Sequence, residues 1–352
     1  MKKLKIAVVV STKNSFNNRI CEEIQRAGHT PILINLNHAY VDISPSTRGY
    51  DALYIKDEKG MQRITKSDID VIIPRIGNSF QANLKKLKLL TDTMRIRSIQ
   101  SPSGLENASD KYLCLQLCSK HKVRVPKTMY ISSNENVESV LQKIKTFPVV
   151  VKYVRGSHGK GVFLVTKENA RDKLKSLLAN KSDLLIQDYI ESGSQDYRVI
   201  VMGSRIVAIE KRTAASEAEF RANLSLGGIG TKATITPQQS ELCIRAAAAI
   251  GLEVAGVDMI VGKDGLEYII EINGNFGTKI ESITGVNLAR ELVRYAIAKA
   301  EAPIARPDEI KVPAKSEQEP VFLFGRFLLS AITLVAGAFL GAKIINNKNC
   351  KC

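Results

Sequence analysis

Residues 257–273 read Val-Asp-Met-Ile-Val-Gly-Lys-Asp-Gly-Leu-Glu-Tyr-Ile-Ile-Glu-Ile-Asn, two apolar runs around a glycine-flanked Lys263-Asp264 pair. That is the chemistry of a hairpin turn, and it obliges the flanking runs to pair as antiparallel strands. With Lys263 and Asp264 at the turn centre, Asp258 falls opposite Ile269 and Glu271 becomes its diagonal neighbour. Side chains alternate along a strand, so Asp258, Glu271 and Asn273 share one face. Met259, Val261, Tyr268, Ile270 and Ile272 form the apolar other face. Two carboxylates and an amide that converge on one side of a hairpin need a counter-charge. A merely solvated face would hold Lys, Ser or Thr equally well; all three residues here are metal-type ligands, of the hard-oxygen kind that suits Mg²⁺ shared with phosphate oxygens.

Two further segments carry charge where the surrounding pattern is apolar. Phe147-Pro148-Val149-Val150-Val151 ends in Lys152, and a Lys that closes an apolar strand must reach solvent or a counter-charge. It is followed by Gly156-Ser157-His158-Gly159-Lys160-Gly161, whose glycines let backbone N–H groups approach a phosphate. No Gly-Lys-Ser/Thr opens a helix there, which excludes a Walker loop. Glu219-Phe220-Arg221-Ala222-Asn223-Leu224-Ser225-Leu226-Gly227-Gly228 supplies Arg221, a planar bidentate donor for a transferring phosphoryl group. Taken alone, Arg221 is as compatible with an ordinary surface arginine.

The organisation is α/β followed by α+β. Lys5–Val10, Pro31–Leu36 and Asp70–Pro74 read as strands, with a helix over Asn17–Ala27 stopped by Gly28; this order implies a parallel lobe. A helix begins at Ser109-Asp110. Short strands follow at Val149–Val151, Val162–Val165, Leu184–Gln187, Arg198–Met202 and Ile206–Ile209, with helices at Ala170–Leu178 and Thr236–Ile250. Thr236, Pro237 and Gln239 spell a capping box with proline in the first turn. The expected divisions are 1–105, an N-terminal α/β lobe; 106–186, a central lobe; 187–301, a C-terminal lobe with the metal site; 302–320, a linker; and 321–345, a hydrophobic tail. Phe327–Ala342 carries no charge over 16 residues, about 24 Å as a helix, and with Val321–Gly325 and a snorkelling Arg326 it would span a bilayer. The expectation is a cytoplasmic catalytic body held to a membrane by a C-terminal tail anchor.

The formal net charge is +16, which draws in polyanions. No long basic run or nucleic-acid motif accompanies it, so a nucleic-acid partner is not expected. An acidic membrane surface, or an acidic substrate with a nucleotide, remain. The six cysteines show no zinc spacing and read as reduced thiols. The five-residue run Ile6–Val10 is too short for a signal peptide and reads as a buried first strand.

In order along the chain, Pro74-Arg75-Ile76-Gly77, Ser109-Asp110-Lys111, Val150-Val151-Lys152 with Gly156–Gly161, Gln187-Asp188-Tyr189-Ile190, Asp196-Tyr197-Arg198, Glu219–Asn223 with Gly227-Gly228, Ala255–Asp258 and Glu271-Ile272-Asn273 resemble the ATP-grasp superfamily, specifically its RimK-like branch of glutamate ligases. The likeness runs from about Lys5 to Ala300. It implies an ATP-grasp fold with a Rossmann-like pre-ATP-grasp lobe, the hydrophobic tail being an addition. It implies that ATP lies between the central and C-terminal lobes. Lys111 and Lys152 would hold phosphates, with Gly156, Ser157, His158, Gly159 and Gly161 in the covering loop. Gln187, Asp188, Tyr189 and Ile190 would line the adenine pocket, and Asp196 would approach the ribose. Arg221, Ala222 and Asn223 would meet the γ-phosphate, with Arg221 and Lys152 catalytic. Arg75 and Arg198 would contact substrate, and Asp258, Glu271 and Asn273 would bind two Mg²⁺ or Mn²⁺ ions. The implied activity is amide formation through an acyl phosphate, joining glutamate or another amino acid to a carboxylate acceptor such as an acidic peptide, in a homo-oligomer. Alternatives are a ligase for a small cofactor or amino-acid carboxylate, and a non-catalytic ATP-binding membrane scaffold. The sequence departs from the family pattern in Gly274-Asn275-Phe276-Gly277, which lacks a usual proline, in Ser225-Leu226, where His-Arg is common, and in Asp188, where Glu is usual.

Overall fold

In a computed structural model, five apolar residues in a row make Lys5–Val10 (β1) a strand buried on both faces, the mark of a parallel sheet. The structure describes residues 2–42, 52–57, 60–77, 79–154, 161–216, 219, 221–222 and 227–303. The hydrophobic tail expected at 321–345, and its linker from residue 304 on, lie outside these residues. Among the described residues no helix is long and apolar enough to cross a membrane.

After β1 come α1 (Ser15–Arg26), β2 (Thr30–Asn35), β3 (Ala39–Tyr40), β4 (Leu53–Asp57), β5 (Gly60–Ile64), β6 (Val71–Arg75), α2 (Phe80–Lys88), β7 (Arg97–Ser98) and α3 (Pro102–Ser109). Asn14 caps α1 by accepting from the Asn17 amide. The main sheet has order β2-β1-β6-β7, all parallel. The chain leaves β1 toward β2 and returns on the other side at β6, which creates a topological switch point between β1 and β6. Strands β3, β4 and β5 form a small antiparallel sheet absent from the sequence-based expectation.

Asp110 caps α4 (Lys111–Lys120) by accepting from the Leu113 amide, which puts Lys111 in the helix's first turn. Then β8 (Thr128–Ile131), α5 (Val137–Lys143), β9 (Val149–Tyr153), β10 (Val162–Val165), α6 (Ala170–Ala179) and β11 (Leu184–Asp188) build an antiparallel sheet of order β10-β9-β11-β8. The last part holds β12 (Gln195–Met202), β13 (Arg205–Thr213), β14 (Ile229–Lys232), α7 (Pro237–Ala249), β15 (Val254–Val261), β16 (Glu267–Asn273), α8 (Ile280–Thr284) and α9 (Leu288–Glu301). Its sheet has order β14-β13-β12-β15-β16. The capping box at Thr236 and Gln239 is present, with Pro237 in the first turn.

The hydrophobic clusters divide the molecule differently from the linear order. One joins Ala7, Ile34 and Leu84 of the first lobe to Val199, Ala246 and Val257 of the last. A second joins Ile6 and Ile73 to Ile200, Phe276 and Leu292. The central sheet keeps its own core of Val149, Val151, Leu174 and Ile186. Backbones touch where the first and last lobes meet: a Cβ on Gly104 would stand 2.4 Å from the Gly251 carbonyl oxygen. Nearby, the Gln100 side chain donates to the carbonyls of Val254, at 2.8 Å, and Gly274, at 2.5 Å.

The hairpin register differs from the expected one. Val261 pairs with Glu267, one residue further round the turn, and a bulge follows between Asp258 and Met259. Each displacement adds one residue. Together they add two, which preserves the facing and places Asp258 directly opposite Glu271. The bulge also turns Ile270 toward the same side as Glu271, whereas Ile269 joins Met259 and Ile272 in the core. Ile270 is therefore not on the apolar rear face that simple alternation gave it.

Candidate active site

A cleft of about 960 Å³, partly open to solvent, separates the central sheet from the C-terminal one. The central side contributes Val150 and Lys152 of β9, Gly161, Val162, and the run Gln187-Asp188-Tyr189-Ile190 where β11 ends. The C-terminal side contributes Asp196, Asp258, Ile260, Ile270 and Glu271, with Arg221 and Ala222 from the loop after β13. Lys111 enters from α4. Apolar walls with a few convergent charged groups are the usual make-up of a small-molecule site.

Lys152 pairs across β9 with Leu185 on one side and Val162 on the other, and its half-buried side chain projects from the sheet face into the cleft. Burial pushes its ammonium down from 10.5 to about 8; Glu271 and Asp258 oppose this, and Lys111 adds to it. The Lys111 ammonium lies 3.3 Å from Glu271. Two ammonium groups converging on the one carboxylate of Glu271 leave an excess of positive charge, as an anion site requires.

Asp258 is 3 % exposed and both of its oxygens are engaged. Arg198 donates to them at 2.8 and 2.7 Å, and Arg212 approaches at 3.3 Å. Burial raises the carboxyl's pKa, but the two guanidinium groups outweigh it and hold Asp258 below the ordinary range. Arg212 also grips Asp196 bidentately at 2.6 and 2.7 Å, so one buried arginine links two acids of the cleft. The strand register extends this into a row across all five strands: Lys232, Glu210, Arg198, Asp258 and Glu271 stand side by side.

Gln187 is buried and donates to the Thr128 hydroxyl at 2.9 Å. Arg221 reaches the cleft with its guanidinium held by Glu219, Nε at 2.8 Å and Nη2 at 2.7 Å. Gly161 has a φ of +84°, and a Cβ there would meet the Tyr153 ring at 2.5 Å, so only glycine closes this corner.

The structure thus gathers Lys111, Lys152, Gly161, Gln187, Asp188, Tyr189, Ile190, Asp196, Arg221, Ala222, Asp258 and Glu271 around one cleft. Asn273 lies two residues beyond Glu271 on β16, and its buried Nδ2 has no partner among the described residues. Gly156, Ser157, His158, Gly159 and Asn223 lie outside the described residues. Arg198 does not line the cleft; it stands behind Asp258 as its counter-ion. Arg75 is also absent from the lining, at the end of β6. Sequence reasoning missed Arg212, Glu210 and Glu219. A signal existed for the first two: they are charges two residues apart continuing the apolar run Ile206–Ile209, hence on one face of a strand.

Could these residues hold divalent cations? Among the described residues no three acids or His/Cys side chains cluster as a metal group. Glu271, Asp258 opposite it and the Asn273 amide are nonetheless three oxygen-bearing side chains on paired strands, and oxygen ligands of mixed carboxylate and carbonyl type suit Mg²⁺ bound jointly with phosphates. The donor set fits, with Asp258 shared between arginines and any ion.

A family model described as a RimK-like ATP-grasp domain matches residues 108–296. A protein of Marinobacter nauticus called probable alpha-L-glutamate ligase is 31% identical over 296 residues, covering 83% of this chain and 95% of its own. One of the same name from Legionella pneumophila strain Corby is 29% identical over 84% of this chain and 96% of its own. Among solved structures, the ATP-grasp ligase PsnB, complexed with a phosphomimetic variant of its minimal precursor, Mg and ADP, aligns with a TM-score of 0.64 at 18% identity, over 84% of this chain and 98% of that one. The macrocyclase MdnC, bound with precursor peptide MdnA from Microcystis aeruginosa, gives 0.64 at 15% identity, over 84% and 99%.

Proposed function

Because the chain belongs to the RimK-like ATP-grasp family of ligases, we propose that it joins an amino acid, glutamate first among candidates, to a carboxylate acceptor at the expense of ATP. The observation that carries this reading is the meeting of Lys111, Lys152 and Glu271 in one cleft with the run Gln187–Ile190. The relatives called glutamate ligases share most of their length with this chain, which supports glutamate as the amine. The excess of basic residues favours an acidic acceptor.

In the reaction, an acceptor carboxylate oxygen attacks the γ-phosphorus of ATP, and ADP departs. The amine of the amino acid then attacks the acyl carbon, phosphate leaves, and the amine's proton passes to solvent or phosphate. Lys111 and Lys152 bind and orient the phosphates, and Arg221, fixed by Glu219, faces the same space. No covalent bond to the protein is needed, so the protein's part is alignment and charge neutralisation. Gln187–Ile190 with Ile260 and Ile270 offer the apolar slot for a base, and Asp196 stands beside it for the ribose. Glu271, Asn273 and Asp258 would hold two Mg²⁺ or Mn²⁺ ions, which when bound neutralise the triphosphate. Arg198 and Arg212 keep the Asp258 carboxylate charged and aimed. Ser157, His158 and Asn223 belong to this proposal as further phosphate contacts.

The test is ADP release by the full chain with ATP, Mg²⁺ and paired panels of amines and acids. Turnover should need both an amine and a carboxylate, and both Glu271→Ala and Lys152→Ala should abolish it. Full turnover in both variants would refute the site. For segment 321–345 we retain the membrane anchor as a proposal: full-length protein should pellet with membranes and a chain ending at residue 305 should not.

A further inference from the structure

Gln187 stands near the end of β11, opposite Thr128 of β8 on one side and Val150 of β9 on the other. Gln187 and Val150 both line the cleft, as does Pro126 just before β8, so this row of the sheet borders the slot offered to a base. A glutamine amide has two unlike ends, a donor and an acceptor, and the residue type alone does not say which of them a ligand meets. Here the neighbours of Gln187 decide it.

A single proton makes the choice. The Thr128 hydroxyl donates to the Pro126 carbonyl at 2.7 Å. A hydroxyl has one hydrogen, so the same oxygen can only accept from its second neighbour. That neighbour is Gln187, whose Nε2 donates to it at 2.9 Å. The nitrogen end of the amide is held against β8, and the oxygen end is left over. No described residue donates to Gln187 Oε1. Unlike the buried, unpartnered oxygens of Asn17 and Glu210, it is not sealed off, so the contents of the cleft can reach it. Turning the amide over would set Oε1 against the Thr128 oxygen, and the hydroxyl would have to leave Pro126 in order to donate. Pro126 is itself buried, and a buried carbonyl that loses its donor disfavours the turned state by roughly tenfold to a hundredfold.

We propose that Thr128 is a positioning residue which, by fixing the polarity of the Gln187 amide, makes the cleft select a purine with an amino group at C6 over one with a carbonyl there. This selection presupposes the ligase reading, which makes the cleft a nucleotide site. An amino group at C6 donates to Gln187 Oε1. A carbonyl at C6 sets a second acceptor against that oxygen, and the side chains of Val150, Ile260 and Ile270 around the slot offer no donor to relieve the clash. Thr128 touches the base at no point and acts only through Gln187.

The experiment titrates the full chain calorimetrically, in Mg²⁺, with ADP and with inosine 5′-diphosphate, which differs from ADP in the group at C6 and the N1 proton that goes with it. The wild type should bind ADP on the order of tenfold or more tightly than the inosine nucleotide. Thr128→Val keeps the shape and β-branching of the side chain and removes only the hydroxyl; it should bring the two affinities to within about threefold of each other. Thr128→Ser, which restores the hydroxyl, should keep the wild-type ratio. A purely structural role for Thr128 would weaken both nucleotides alike and leave the ratio where it was. Gln187→Met, which removes the amide, should also abolish the preference and provides the same readout if Thr128→Val does not fold. A wild type that binds both nucleotides equally, or a Thr128→Val or Gln187→Met protein that keeps the wild-type ratio, would overturn this proposal and leave the nucleotide site standing. A wild type that binds neither nucleotide would overturn the nucleotide site, and this selection with it.

Discussion

Replacing Lys152 by methionine should stabilise the ligand-free protein while destroying its hold on nucleotide. The side chain is an ammonium at the end of an apolar strand, and its pKa falls from 10.5 to about 8. Each unit of displacement corresponds to ~1.36 kcal/mol, so at pH 7 the folded state bears a penalty on the order of 3 kcal/mol for keeping this group charged. The sign follows from proton binding. Between the folded and unfolded pKa values the unfolded chain holds the proton more tightly, so wild-type stability should climb from pH 8 to about 10 and be lowest, on this account, below 8. Methionine has similar length, carries no charge and removes the penalty. Glu271 keeps Lys111 as a partner at 3.3 Å, which limits what it loses. The expected midpoint rise is about 5 °C at pH 7, shrinking toward zero near pH 10, given the entropy of unfolding of a body this size. Denaturation of both proteins at pH 7 and 9.5, with and without ADP and Mg²⁺, measures it. The ligand-induced shift should vanish in the variant. A Lys152→Met protein less stable than wild type at pH 7, or a wild type indifferent to pH above 8, would refute the reasoning.

Arg212→Ala should cost on the order of 3–5 kcal/mol, because it strands Asp196 without its bidentate partner inside the protein, while Lys263→Ala, on the exposed turn, should lie near zero; urea melts separate them. Gly104→Ala should destabilise by about 1–3 kcal/mol or more, since its Cβ would press on the Gly251 backbone at 2.4 Å, a contact that no rotamer change relieves. Its effect on stability should exceed any effect on nucleotide affinity measured by titration.

Much of the site was legible because its chemistry is written where periodicity is strong. Lys152 ends a run of valines, and Glu271 alternates with isoleucine; charges in such company stand out whatever the tertiary fold. The facing of Asp258 and Glu271 was also readable, although the pairing was not. A bulge and an extra turn residue are matters of one hydrogen bond each, and no local pattern in Val257–Asn273 signals where the ladder slips. Arg212 escaped notice because its meaning lies in two other strands: only the sheet order shows that from β13 it reaches both Asp196 on β12 and Asp258 on β15. The same holds for β3, β4 and β5, short strands that bury Ala39, Leu53, Ile55 and Ile64 in one cluster with Leu36. Lobe boundaries were read from changes in element type, but the burial of Ile6 with Leu292, or Ile34 with Ala246, belongs to a partition that linear order conceals.

That partition has a mechanical corollary. Where Gly104 meets Gly251 and Gln100 clasps the carbonyls of Val254 and Gly274, two stretches of main chain lie so close that neither can travel without the other. The first and last thirds of the body therefore behave as an anvil. The sheet of β8 to β11 has a core of its own, and on the proposed ligase reading it would be the jaw, with nucleotide entry and product escape set by how it moves about the run from Gln187 to Ile190.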